Sequence, residues 1–335
     1  MKNKFIITFL IFTLNSIHTI MGQTIPIIKK TKYERATQAY EFIKIQNGFL
    51  SSFKKQFPQL EFNILKAELA FNSTFWKSNE GIKKYLNEFI GEVEFNKYET
   101  RLNSEMKTAL ENISFVEQDA INFIADVENR AKGIIDTPIL ETLLYFQYCN
   151  NPSGEFSAGF TTKYSTKGHS KSKNTDWQIK IPKSWKAEEG ERPNIIQKFT
   201  SDYGNGNESF MLLVNELDLP VGYKMTNEEL NRFFSEKEMN TLMTTTNRKF
   251  ISFTKMTIEN NIGGMVECEQ TSERMGVQIK MRLVQFMFIM DNKMYILFCS
   301  VSSSNISIDL GVEMKKYLLL FKQVANSSVL RDQYK

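Results

Sequence analysis

The spacing of the apolar residues changes once along this chain, and that change decides what it can fold into. From Thr31 to Tyr148 they recur every three or four residues, the period of a helix face. After Asp176 they alternate one by one, the period of a strand. One regular layer cannot carry both periods, so the chain reads as α+β, with an all-α helical bundle over 23–150 and a sheet-containing domain over 175–335. A length of 335 residues, 41% of them hydrophobic, is enough for two such cores.

The first region spells out its helices. Ala36, Tyr40, Ile43, Leu50, Phe53 and Phe57 share a face, and Pro58 then opens a second helix with the stripe Leu60, Ile64, Ala67, Phe71 and Phe75. A third carries Ile82, Leu86, Phe89 and Ile90 and stops near Gly91, and a fourth carries Tyr98, Leu102, Ala109 and Leu110. Ser114 with Glu117 reads as a capping box ahead of Val116, Ala120, Phe123, Val127 and Ala131. Thr137 and Pro138 start a last short helix through Leu140, Leu143 and Leu144, for a bundle of five or six.

In the second region Trp177, Ile179 and Ile181 alternate with polar residues up to Pro182, and Ile195 to Phe199 and Phe210 to Glu216 follow as strands. Thr226 and Glu229 form a capping box before Leu230, Phe233 and Phe234. A meander comes next, with turns at Asn260-Asn261, near Ser272 to Met275, and at Asp291-Asn292. In its run Gln285 to Met290 both parities are apolar, Phe286 and Phe288 on one face, Met287 and Ile289 on the other. Such a strand needs cover on both sides, so helices are expected over each face, one of them the closing helix with Leu310, Met314, Tyr317, Leu318 and Phe321.

Between the two regions, residues 151–174 are rich in Ser, Thr, Gly and Lys, the composition of a linker. Charge concentrates there. Residues 23–150 hold 16 basic and 17 acidic groups, 175–335 hold 20 of each, and 151–174 hold 4 basic against 1 acidic. Lys163, Lys167, Lys171 and Lys173 are therefore the candidate partner contacts, a basic tether able to touch an acidic protein, glycan or anionic lipid. The overall formal charge of +4 is too small for a nucleic-acid binder.

Lys2 and Lys4 followed by the apolar run Phe5 to Leu14 read as a secretory signal over 1–22, cut after Gly22. The alternative is a retained anchor, although the run is shorter than the ~20 residues that span a bilayer. With no other run of that length, the mature chain is expected to be periplasmic or extracellular and without a transmembrane segment. Cys149, Cys268 and Cys299 make an odd count, and pairing the meander by its turns puts Cys268 and Cys299 on opposite sheet faces, which disfavours a bond between them.

The opening Asp176 to Lys186, a strand ending in Pro182 with Trp185 three residues on, together with the terminal meander and helix, resembles the PsbP/Mog1 superfamily over about 175–325. The resemblance implies antiparallel sheet sandwiched between helices, and a non-catalytic binding or assembly role of the kind seen in photosystem-associated, Ran-binding and bacterial envelope members. It carries over no family ligand or partner-contact residue. The helical region resembles no family.

Several chemistries lack their residues. Only His18 and His169 occur, so catalysis or zinc binding resting on several histidines is out. No phosphate-binding G-x-x-x-x-G-K-[ST], G-x-S-x-G or C-x-x-C pattern is present. The turn Asp202 to Glu208 has oxygen ligands but not the spacing of a calcium loop, and reads as a plain β-turn. Glu267 and Glu269 share a strand face as an acid pair on an exposed edge, and Trp177 and Trp185 read as core. No catalytic residue, metal or cofactor is assigned. The expectation is an exported, non-enzymatic module that binds an envelope or extracellular protein. Its alternatives are a carrier of a small apolar or lipidic ligand, suggested by 27 Phe and 15 Met, and a carboxylate-based glycan hydrolase with two acids about 5 to 10 Å apart.

Overall fold

The computed structural model describes residues 31–111, 113–134, 139–220, 223–274 and 276–334. The expected signal segment 1–22 lies outside them. The chain is α+β and divides into two compact units, Met1–Gln147 and Tyr148–Lys335. Among the described residues no helix is long and apolar enough to cross a membrane.

The first unit is helical. Helix α1 (Lys32–Gln56) opens with a capping box: Thr31 Oγ1 accepts from the Glu34 N–H at 3.2 Å and the Glu34 carboxylate accepts from the Thr31 N–H at 2.7 Å. The second and third expected helices are a single α2 (Glu61–Ile90) with a kink at Phe75 (φ −119°, ψ 23°). Continuity follows from Ala67, Phe71, Phe75, Ser78, Ile82 and Leu86, which keep one buried row through the kink. Gly91, at φ 85°, separates α2 from α3 (Glu92–Glu111). The Ser114–Glu117 capping box does not form. Helix α4 (Glu117–Ala131) starts two residues later than expected, with Val116 at the cap, and Glu117 accepts instead from the Gln59 amide at 3.0 Å. Two residues assigned to the buried stripes, Phe89 and Val116, are exposed, Phe89 stacking on Tyr33 with ring centres 4.7 Å apart. Helix α5 is Leu140–Tyr148, and its expected start at Thr137 and Pro138 lies outside the described residues.

A polar lock joins α1 to α3. Glu99 accepts from Lys44 Nζ at 2.8 Å and from the Tyr40 hydroxyl at 2.5 Å, with Lys83 at 3.6 Å. Those donors hold the Glu99 carboxyl down at about 2, and burial with the Glu99 bond pushes the Tyr40 phenol well up.

The second unit contains two antiparallel sheets. The strands β1 (Thr161–Ser165), β2 (Trp177–Pro182) and β10 (Val329–Leu330) form a small one in the order β1-β2-β10. The strands β3 (Lys186–Glu189), β4 (Ile195–Thr200), β5 (Glu208–Glu216), β6 (Arg248–Ile258), β7 (Asn261–Arg274), β8 (Val277–Met290) and β9 (Lys293–Ser303) form a seven-stranded sheet in the order β3-β4-β5-β9-β8-β7-β6. Asp291 and Asn292, both at positive φ (46° and 57°), make the tight β8–β9 turn expected of them. Gly263 in β7 permits close approach to β8, since a Cβ there would lie 2.2 Å from the Met287 carbonyl oxygen.

The long sheet is covered on both faces, as its two-sided apolar strand requires. On one, Phe199, Phe210, Phe286, Phe288 and Leu297 pack with Met314, Tyr317 and Phe321 of α9 (Leu310–Asn326) and with Trp177 and Ile179 of the small sheet. On the other, Val266, Leu283 and Met287 pack with Phe234 and Met239, from the end of α7 (Asn227–Phe233) and from α8 (Glu236–Met243). The Thr226–Glu229 capping box of α7 forms. Cys299 belongs to the first core and Cys268 to the second, and both are free thiols.

Because the Glu99 carboxyl titrates at about 2 when folded, below its ordinary 4.5, its stabilising effect is complete above about pH 4.5 and is lost as pH falls toward 2. Glu99→Gln should destabilise the helical unit by roughly 1–2 kcal/mol near pH 7, and the deficit should shrink in acid. Urea unfolding followed by helical circular dichroism at the two pH values checks both effects.

Candidate partner-binding surface

Residues 151–174, expected to be a linker, are instead built into the second unit. They contain a short helix α6 (Pro152–Ser157), strand β1 and a 3-10 turn at Ser170–Ser172. The composition misleads because β1 needs only one large apolar side chain. Tyr164 points inward, edge-on to Phe199 with ring centres 5.2 Å apart, and its hydroxyl donates to the Gln197 side-chain oxygen at 3.2 Å. Burial, with the Glu189 charge, pushes the Tyr164 phenol up to about 12. Glu155 of α6 is itself buried, accepting from the Ser184 N–H at 2.8 Å and the Ser184 hydroxyl at 2.6 Å.

The excursion between β1 and β2 is tied down at both ends. Thr166 is buried, donating to the Thr175 carbonyl at 2.8 Å and accepting from the Trp177 N–H at 3.0 Å. Further along, His169 Nε2 lies 3.1 Å from Glu189 Oε2, and Lys171 Nζ lies 3.1 Å from Glu189 Oε1 and donates to the Gly190 carbonyl at 2.5 Å. His169 and Lys171 together hold the Glu189 carboxyl below its usual range. Lys173 adopts a left-handed backbone (φ 55°) and its carbonyl accepts from Lys293 Nζ at 2.9 Å.

The four nominated lysines thus separate into two kinds. Lys171 is half-buried and committed to the fold, whereas Lys163, Lys167 and Lys173 are exposed. The antiparallel register supplies a fifth that sequence reading missed. Lys180 of β2 stands directly opposite Lys163 of β1, both on the outer face, because the alternating Trp177, Ile179 and Ile181 face the core. Only the β1–β2 pairing could have revealed it, and reading 151–174 as a linker hid that pairing. Neither Lys163 nor Lys180 has an ion-pair partner among the described residues.

The other nominated groups are committed to structure. Glu267 and Glu269 lie on an interior strand, not an edge, and meet cations: Arg282 Nε donates to Glu267 at 2.8 Å, and Glu269 lies 3.7 Å from Arg282 and 3.6 Å from Lys280. In the turn after β4, Asp202 and Tyr203 are both left-handed (φ 48° and 49°), and Ser201 donates to the Glu208 carboxylate, so that carboxylate is engaged by its own turn. Trp177 donates from its indole to Ser328 Oγ at 3.2 Å and meets Phe288 and Tyr295 edge-on, while Trp185 packs on Phe210 with ring centres 5.0 Å apart.

No family model and no curated protein matches the chain. Solved structures similar to it include a cyanobacterial PsbP from Synechocystis (13% identity, 51% of this chain and 92% of that one, TM-score 0.30). The Ran-binding protein Mog1p of Saccharomyces cerevisiae matches at 6% identity over 52% of this chain and 97% of its own, TM-score 0.33. LpqN of Mycobacterium tuberculosis, involved in cell envelope biogenesis, matches at 6% identity over 52% and 94%, TM-score 0.30. These matches each cover about half of this chain and nearly all of their own.

Two like charges directly opposite on a sheet face repel, at a cost on the order of 0.2–1 kcal/mol. Lys163→Gln should therefore stabilise the free protein by about that amount at low ionic strength, and the gain should fade as salt screens the pair. Denaturant titrations of both proteins at low and high salt measure the difference.

Proposed function

We propose that this chain is an exported, non-enzymatic binding module whose second unit holds an acidic protein partner on the outer face of the small sheet. One observation carries the reading: Lys163 and Lys180 stand directly opposite each other on paired strands, both exposed, and among the described residues neither is paired with an acidic side chain. A carboxylate from a partner would bridge the two ammonium groups and convert a repulsion into two charge-assisted hydrogen bonds. Lys167, in the turn beyond β1, adds charge nearby.

Residues 175–335, Lys180 included, are charge-balanced, with 20 basic and 20 acidic residues, so the attraction is local. A local attraction suits an acidic patch on a folded protein better than a long polyanion. The outer positions of the small sheet bear Thr161, Ser165, Gln178 and Val329 beside the lysines, without the aromatic rings that stack bases. Support for a non-catalytic role comes from the acid pair, which is matched by Arg282 and Lys280, and from His169, which pairs with Glu189 at a turn. Export rests on the basic and apolar residues Lys2 to Leu14.

The test is crosslinked recovery of the tagged protein from the envelope and medium of its source cells, beside the Lys163→Glu/Lys180→Glu variant. An acidic protein recovered in near-equal amount with the wild type, weakened by salt and lost with the variant, is the expected result. Equal recovery with both, or bait alone with both, overturns the reading.

A further inference from the structure

Helix α2 buries one face and carries a second apolar row on the opposite one. Phe62, Leu65, Leu69 and Trp76 are 77%, 47%, 71% and 52% exposed, on the side away from Ile64, Ala67, Phe71 and Phe75. Together with exposed Asn72 they fall at i, i+3, i+7, i+10 and i+14, the alternating three-and-four spacing of a coiled-coil seam. A solvent face of a helix normally carries polar residues at those positions.

We propose that the protein self-associates through α2, with two copies packed parallel and in register along Phe62–Trp76. A seam with this repeat is complementary to itself, since the knobs of one copy enter the holes of the other. With ~150–250 Å² available from each large apolar side chain, the exposed parts of these four come to roughly 450 Å² per copy. Two copies then bury about 900 Å² before the flanking residues are counted, close to the ~1,000 Å² of a specific interface.

Two further features select the orientation. In parallel register Asn72 meets Asn72 of the second copy, and the two amides satisfy each other. An antiparallel pairing centred on Leu69 would set Asn72 against Leu65 and leave the amide buried without a partner, which is unfavourable. The charges flanking the seam agree. Parallel packing brings Glu61 beside Lys66 of the second copy, and both are exposed residues whose present partners, Lys54 at 2.7 Å and Glu128 at 3.2 Å, are rim contacts. Antiparallel packing would instead bring Glu68 toward Glu68. Mixed flanking charge also suits a second copy better than an anionic lipid surface, which favours a basic rim.

Sedimentation of the full chain over a range of concentrations tests this. Expected are a reversible dimer, a dissociation constant raised at least about tenfold by Leu69→Glu, and unchanged circular dichroism, because Leu69 contributes little to the buried core. Oxidised Leu65→Cys should give a dimer joined 65 to 65, identified by peptide mass against the wild type with its three native cysteines. A monomer at every concentration, or a dimer unmoved by Leu69→Glu, overturns the proposal. A dimer in which Leu65→Cys fails to crosslink to itself overturns the parallel register.

Discussion

The second unit depends on one constraint, that β8 and its neighbours are apolar on both faces. A strand with Phe286 and Phe288 on one side and Leu283, Met287 and Ile289 on the other cannot leave either side in water without exposing several large side chains, at ~1.5–3 kcal/mol each. Two covers are therefore compulsory. One is α9 together with the small sheet; the other is the α7–α8 pair with Phe234 and Met239. The two buried thiols follow the same division, Cys299 under the first cover and Cys268 under the second. Burial raises both, so each behaves as a small apolar side chain.

In the helical unit aromatic rings do most of the packing and polar groups fix where it happens. Phe49, Phe53, Phe115 and Phe123 meet with ring centres 4.8–6.0 Å apart. Such packing is favourable in many arrangements. The Tyr40–Glu99–Lys44 cluster is not, because its donors and acceptor match in one register of α1 against α3, and Tyr98 donating to Glu41 at 3.0 Å repeats the device with the adjacent residue of each helix. Ser78 does the same for α2 and α5, donating to the Leu143 carbonyl at 2.7 Å.

The elements that could be read from sequence are those whose signal is local, a buried row along one helix or an apolar run closed by a turn. The row from Ala36 to Phe53 in α1, the meander with its Asp291-Asn292 turn, and α9 are of that kind. What was hidden is what depends on a partner distant in sequence. Strand β1 has a single inward aromatic, Tyr164, and strand β10 is two residues long, so neither shows a period; β2 recruits both. Helix α8 was missed because only Met239 of its eight residues is buried, too little for a stripe. The candidate surface shared that fate in part: Lys163 and Lys167 stood out by composition, but Lys180 lay beyond the presumed linker and joins them only through the β1–β2 register.

Moving those lysines from a tether to a sheet changes the energetics of binding. On a flexible segment, each lysine would have to be ordered when a partner arrived, at ~0.5–1.5 kcal/mol per side chain with further loss from the backbone. Here folding has already fixed the backbone at Lys163 and Lys180, with Trp177 buried and Tyr164 half-buried beneath and Thr166 closing the turn. The repulsion between the ammonium groups is sustained by that same burial, since neither strand can turn its lysine away without lifting its aromatic neighbour out of the core. Tyr164 and Trp177 therefore govern the geometry of the basic pair more strictly than any group on the surface itself.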